Sequence, residues 1–229
     1  MRVILPGRYC GPPTSGNGGY TAGVLAAQLD GAVEVTLRRP PPLDHELDVV
    51  RAGERVELRD GDDLVAEAAR VTLDVAPPAT VAWDDAVAAS ASSMFRDRSL
   101  HPFPTCFACG PDRAVGDGLR LFAGRVGTAD VFATPWVPAD VDGPVVWAAL
   151  DCPSSAPAFA DESIAGPFVL GRIAARIDRL PEPGAPHVVT SAALGRDGRK
   201  CLAVSAIRDE GGGLCAIARA TWIQLASES

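Results

Sequence analysis

Histidine is scarce in this chain. Its 229 residues hold three, His45, His101 and His187, and no His-x-His pair. No Gly-x-Ser-x-Gly elbow occurs either, so a serine hydrolase is not expected. Basic charge is also short: 21 Lys and Arg stand against 29 Asp and Glu, a net charge of −8. Nucleic acid and anionic membrane both require a basic field, so neither is expected as the main partner. No window approaches the roughly 18 consecutive apolar residues of a membrane helix. Only three apolar residues separate Arg2 from Pro6, too few for a signal-peptide core, and a cytoplasmic location is expected. Six cysteines are present, but four of them, Cys10, Cys152, Cys201 and Cys215, are isolated. Cys106-Phe107-Ala108-Cys109 has the spacing of half a zinc site, with no second pair to close it. The pair reads as a tight turn leading into the second half of the chain, and no metal or cofactor is expected.

A repeat is present. Arg38-Arg39-Pro40-Pro41-Pro42 through Leu73 parallels Asp178-Arg179-Leu180-Pro181-Glu182-Pro183 through Leu225. Both stretches run from an extended segment through a proline-rich turn to further extended segments. Leu64-Val65-Ala66-Glu67-Ala68 in the first matches Leu214-Cys215-Ala216-Ile217-Ala218 in the second. A Gly-led, alanine-rich helical segment precedes each, at about 18–29 and 143–151. A duplicated helix-then-strands unit buries its helices on a shared sheet, and a site can form at the seam. The boundaries read as a first unit over 1–78, a linker with a short helix over 79–100, and a second unit over 101–229.

Local patterns fill in the elements. The Gly-, Pro- and Ser-rich stretch 8–19 is a loop ending at Gly18-Gly19, after which Tyr20, Val24 and Ala27 fall at helical spacing. Val33, Val35 and Leu37 alternate with polar residues as in a half-buried strand, stopped by Pro40-Pro41-Pro42. Residues 56–59 and 64–75 form a hairpin about Asp60-Gly61. A helix is expected over 81–93, and strands over 119–122, 129–134, 168–179, 186–196, 200–208 and 214–226. The class is α+β: a mainly antiparallel sheet with one central helix per unit.

This order of elements resembles a double hotdog protein of the acyl-CoA thioesterase-like superfamily. The segments that carry the resemblance are Asn17-Gly18-Gly19-Tyr20, Arg38-Arg39-Pro40 and Cys106-Phe107-Ala108-Cys109-Gly110. In the phenylacetyl-CoA-type small thioesterases it resembles, a His-Gly-Gly motif opens the central helix and an acid follows nine positions after the His. Here the first unit has Asn17-Gly18-Gly19, and nine residues on is Ala26. The second has Asp142-Gly143-Pro144, and nine residues on is Asp151. Each unit has kept what the other lost.

The resemblance implies a composite site hydrolysing an acyl-CoA or acyl-carrier thioester. Backbone N–H groups of Gly18, Gly19 and Tyr20 would polarise the thioester carbonyl. Asp151 would act as general base or attack the carbonyl itself. Asn17 would hold the carbonyl side or cap the first helix, and Ser154 and Ser155 would orient the carboxylate or a water. Tyr20 would help set pocket depth, and Arg38 and Arg39 would reach a CoA phosphate. Other readings stay open. Asp151 could cap a new turn at Pro153-Ser154-Ser155. The chain could be a non-catalytic acyl-thioester binder or scaffold. A dehydratase or hydratase ranks lowest, since no histidine lies near either helix start in sequence. Two such chains could pair as a homodimer through sheet faces or edges.

Overall fold

A computed structural model of the chain describes residues 1–161 and 166–225. Eleven strands form one sheet: β1 (Arg2–Ile4), β2 (Val33–Leu37), β3 (Glu46–Ala52), β4 (Arg55–Asp60), β5 (Asp63–Arg70), β6 (Gly124–Arg125), β7 (Phe132–Trp136), β8 (Phe168–Ile177), β9 (His187–Asp197), β10 (Lys200–Asp209) and β11 (Leu214–Gln224). The order is β1-β3-β4-β5-β2-β8-β11-β10-β9-β7-β6, and every pairing is antiparallel. Read outward from the β2–β8 junction, both directions give the same succession, with β5 matching β11, β4 matching β10 and β3 matching β9. The repeat is visible in single hydrogen bonds. The N–H groups of Arg38 and Arg39 donate to the Val65 carbonyl, and those of Asp178 and Arg179 donate to the Cys215 carbonyl.

Among the described residues four α-helices accompany the sheet: α1 (Gly18–Ala26), α2 (Trp83–Ala91), α3 (Gly143–Asp151) and α4 (Ala156–Phe159), with a 3₁₀ turn over Cys152–Ser155 joining the last two. Both central helices start on side-chain caps. Asn17 Oδ1 accepts from Tyr20 N at 2.8 Å, and Asp142 Oδ1 accepts from Val145 N at 2.9 Å, with Pro144 in the first turn. The period-2 alternation divides the strands between two faces. Ile173, Ala175, Ala216, Ala218 and Trp222 join α1 and α3 in the main core. Ala174, Val204 and Ile217 point the other way and are covered by Leu73 with Val71 and Val75.

The helices 143–151 and 81–93 and the strands of the C-terminal half fall where the sequence puts them, within a few residues. Residue 226, the end of the last expected strand, lies outside the described residues. Two expectations are corrected, and two strands are added. The strand over 64–75 stops at Arg70, because the chain leaves the sheet edge-on to cover its outer face with Leu73. Residues 119–122 form no strand: Arg120 takes φ 53°, and the N–H groups of Leu119 and Leu121 donate instead to Phe107 and Ala108 in the cysteine turn. Strands β1 and β3 were not foreseen, although Leu47 and Val49 are buried between exposed Glu46 and Asp48.

The two central helices lie against each other on the inner face. Their approach is set by α1 glycines, because a Cβ on Gly23 would stand 2.5 Å from Pro144 Cα and 3.0 Å from Trp147 Cβ. We expect Gly23→Ala to destabilise the protein by about 1–3 kcal/mol through overpacking, against a gain of about 1 kcal/mol in helix propensity. Urea unfolding measures the difference, and a variant more stable than the parent would contradict this packing.

Candidate functional site

The contact between α1 and α3 sets the start of one helix against the end of the other. Glycine permits it, since a Cβ on Gly19 would lie 2.6 Å from Trp147 O and closer still to Asp151 Cβ. Asp151 Oδ2 accepts from the Gly19 N–H at 2.8 Å and from Asn17 Nδ2 at 3.2 Å. The acceptor role of Asn17 Oδ1 toward Tyr20 fixes the amide orientation, so one side chain both caps α1 and holds the carboxylate. Asp151 is 1% exposed, and its Oδ1 has no hydrogen-bond partner among the described residues. Burial pushes its pKa up to about 7, opposed by the hydrogen bond from Gly19 and the one from Asn17. The capping alternative does not hold: α3 does end at Asp151, but the carboxylate makes no bond to the turn that follows and crosses to α1.

Asn17, Gly18, Gly19 and Asp151 are thus brought together, while the other expected residues divide. The three expected N–H donors are not equally available. Gly19 serves Asp151 and Tyr20 serves Asn17, leaving Gly18 as the one without a partner among the described residues. The Tyr20 ring stacks on Tyr9 at 3.7 Å and stands away from the cavity, and burial together with Tyr9 raises its pKa. Ser154 is not free to orient the carboxylate: its hydroxyl donates to the Asp151 backbone carbonyl at 2.6 Å and accepts from Trp222 Nε1 at 2.8 Å. Ser155 lines the cavity but donates to the Cys152 carbonyl. Arg38 and Arg39 reach the cavity rim already paired, with Glu67 at 2.5 Å and Asp63 at 2.8 Å.

A cavity of about 550 Å³ opens beside these groups, within the range of small-molecule sites. Asn17, Gly18 and Asp151 stand on its wall, and the rest is largely apolar, with Phe95, Phe103, Phe159, Phe168, Leu170 and Trp222. Two features were missed in the sequence. His101 lines this cavity, with Nδ1 accepting from Phe103 N at 3.0 Å and Nε2 unpartnered. Burial lowers its pKa, which favours the neutral ring. Distance along the chain hid it, since 50 residues separate His101 from Asp151. Cys152 is likewise not isolated. It joins Cys106 and Cys109 in a buried cluster whose sulfurs all lie within 4.8 Å of one another, so these three could hold a metal ion. Hydrogen bonds from Cys109 and Cys152 hold the Cys106 thiol below the ordinary range and push those two donors above it.

No family model matches the chain, and no curated protein matches it. Solved structures do resemble it. A hotdog-fold protein from Alicyclobacillus acidocaldarius superposes with a TM-score of 0.62 at 11% identity, over 99% of this chain and 93% of that one. The tesB protein of Mycobacterium avium subs paratuberculosis gives 0.59 at 14% identity, over 92% and 88%. An acyl-CoA thioesterase II from Mycobacterium marinum gives 0.56 at 14%, over 99% and 93%. The chain has the double hotdog fold, as its sequence resemblance implies.

The two duties of Asn17 can be separated. Serine is a good cap and alanine a poor one. Asn17→Ser is therefore expected to retain about 1 kcal/mol more stability than Asn17→Ala in chemical denaturation. Equal losses would place the contribution of Asn17 wholly in its contact with Asp151.

Proposed function

We propose that the protein hydrolyses an acyl thioester, carried on CoA or on an acyl-carrier, at the seam between α1 and α3. The observation that carries this reading is the buried Asp151 carboxylate held across the seam by Gly19 and Asn17, with Oδ1 left unpartnered beside an apolar cavity. The acyl chain lies along the aromatic wall. Its carbonyl oxygen takes the Gly18 N–H at the α1 start, where partial positive charge favours a developing oxyanion. Asp151 Oδ1 removes a proton from water as the water oxygen bonds to the carbonyl carbon. Collapse of the tetrahedral intermediate breaks the C–S bond, and the proton returns from Asp151 to the departing thiolate. A free acid and a thiol result. Arg38 and Arg39 at the rim are placed to share a guanidinium edge with a CoA phosphate.

His101 gives a second reading, addition of water to a 2-enoyl thioester, which needs a histidine and an acid at one cavity. The unpartnered Nε2 favours it. Gly18 as a single free donor favours a third, binding without turnover. One panel separates them: free-thiol release from short, long and aromatic acyl-CoAs, with loss of enoyl absorbance followed in parallel. We expect thiol release, reduced about 10²–10⁴-fold in Asp151→Asn with the circular dichroism spectrum unchanged. Unaltered turnover in that variant would remove the mechanism. Hydration without thiol release, or saturable binding with neither, would replace it.

A further inference from the structure

We propose that Cys106, Cys109 and Cys152 form a thiolate site for zinc, with the fourth position open to the cavity. All six cysteines are free thiols, yet these three converge from a tight turn and from the end of α3. Three sulfurs bound to one tetrahedral zinc at 2.3 Å lie about 3.8 Å apart. Cys106 and Cys152 are 3.6 Å apart, and all three sulfurs fall within 4.8 Å of one another, so a small contraction closes the site.

The surroundings are those of a thiolate site. Asn17 Nδ2 donates toward Cys152 Sγ at 3.6 Å and Cys106 Sγ at 3.8 Å. N–H donors of this kind stabilise negative sulfur and orient ligands. The turn itself is drawn tight by Gly110 N donating to Cys106 O, and a Cβ on Gly110 would stand 2.5 Å from Cys106 O. All three cysteines border the cavity, which supplies a route in. Asp151, 99% buried by its 1% exposure, leaves Oδ1 unpartnered on the same wall, an acceptor for a water held at the fourth position. Soft sulfur ligands select zinc over magnesium or calcium. Binding converts three thiols to thiolates, releases three protons to solvent, and requires no oxidant. The metal would staple the cysteine turn to the end of α3, one residue from Asp151.

The test is titration of reduced, metal-free protein with Co²⁺, then Zn²⁺, without oxygen. One cobalt per chain is expected, with thiolate-to-cobalt charge-transfer absorption and the d–d bands of a tetrahedral site, bleached by zinc. Cys152→Ser and Cys109→Ser should each weaken cobalt binding more than tenfold, while Cys201→Ser, outside the cluster, leaves it intact. Cobalt bands and thiol release are read separately, so this proposal and the hydrolytic one each fail on their own result. Absence of the bands in the reduced wild-type protein would overturn the site, whatever the variants do. So would bands that survive both Cys152→Ser and Cys109→Ser. Reduced protein that takes up no metal but joins Cys106 to Cys152 on exposure to peroxide would make the cluster a redox pair instead.

Discussion

The close approach of α1 to α3 is the constraint on which the rest depends. A backbone N–H reaches a carboxylate on another helix at 2.8 Å only if the helices nearly touch, and here Gly19 and Gly23 remove the side chains that would hold them apart. The sheet supplies the other half of the condition. β2 and β8 pair at the centre, with Val35 opposite Ile173 and both fully buried, so the helices from the two halves are delivered to one face side by side. A wider helix spacing would leave Asp151 in a dry core with neither of its donors.

The site is asymmetric although the scaffold is nearly symmetric. The matched hydrogen bonds at Val65 and Cys215 show how closely the two halves repeat at the strand level. At the helix starts they part. Asn17 caps α1 and reaches across to Asp151, whereas Asp142 caps α3 and makes no contact across the seam among the described hydrogen bonds. Ala26, the counterpart of Asp151, packs as a core residue. One seam has gathered the polar groups, and its mate is filled with apolar side chains.

Regular periodicity was legible; convergence of distant segments was not. The strands from 168 onward are largely apolar runs bounded by Asp-Gly and Gly-rich turns, so their limits follow from local pattern. The pairing of Asn17-Gly18-Gly19 with Asp151 was legible only through the family resemblance, whose nine-residue offset from helix start to acid, applied to both copies of the repeat, picks out Asp151 in the second. Nothing local marks Cys152 as a neighbour of Cys106, or His101 as a wall of the cavity, since both depend on where the irregular segment 93–123 is laid. Nor does sequence reveal that the Gly19 N–H is already engaged. That depends on the Asp151 rotamer, which is fixed by packing between the helices.

The burial of Asp151 bears on why an acid is there at all. Placing a carboxylate at 1% exposure with one oxygen unpartnered costs stability, on the order of 1–3 kcal/mol for an unsatisfied polar group and more when it is charged. An asparagine would fit the same space and accept the same two hydrogen bonds without the charge. A core selected for stability alone would therefore favour the amide. The surrounding groups do not relieve the cost: among the described residues no cation pairs with Asp151, and its polar neighbours are thiols, an amide and a backbone N–H. Local departures from a stable design cluster at sites of function, and this one lies on the wall of a cavity large enough for an acyl group. The same cavity is also lined by His101, whose Nε2 is likewise buried without a hydrogen-bond partner among the described residues.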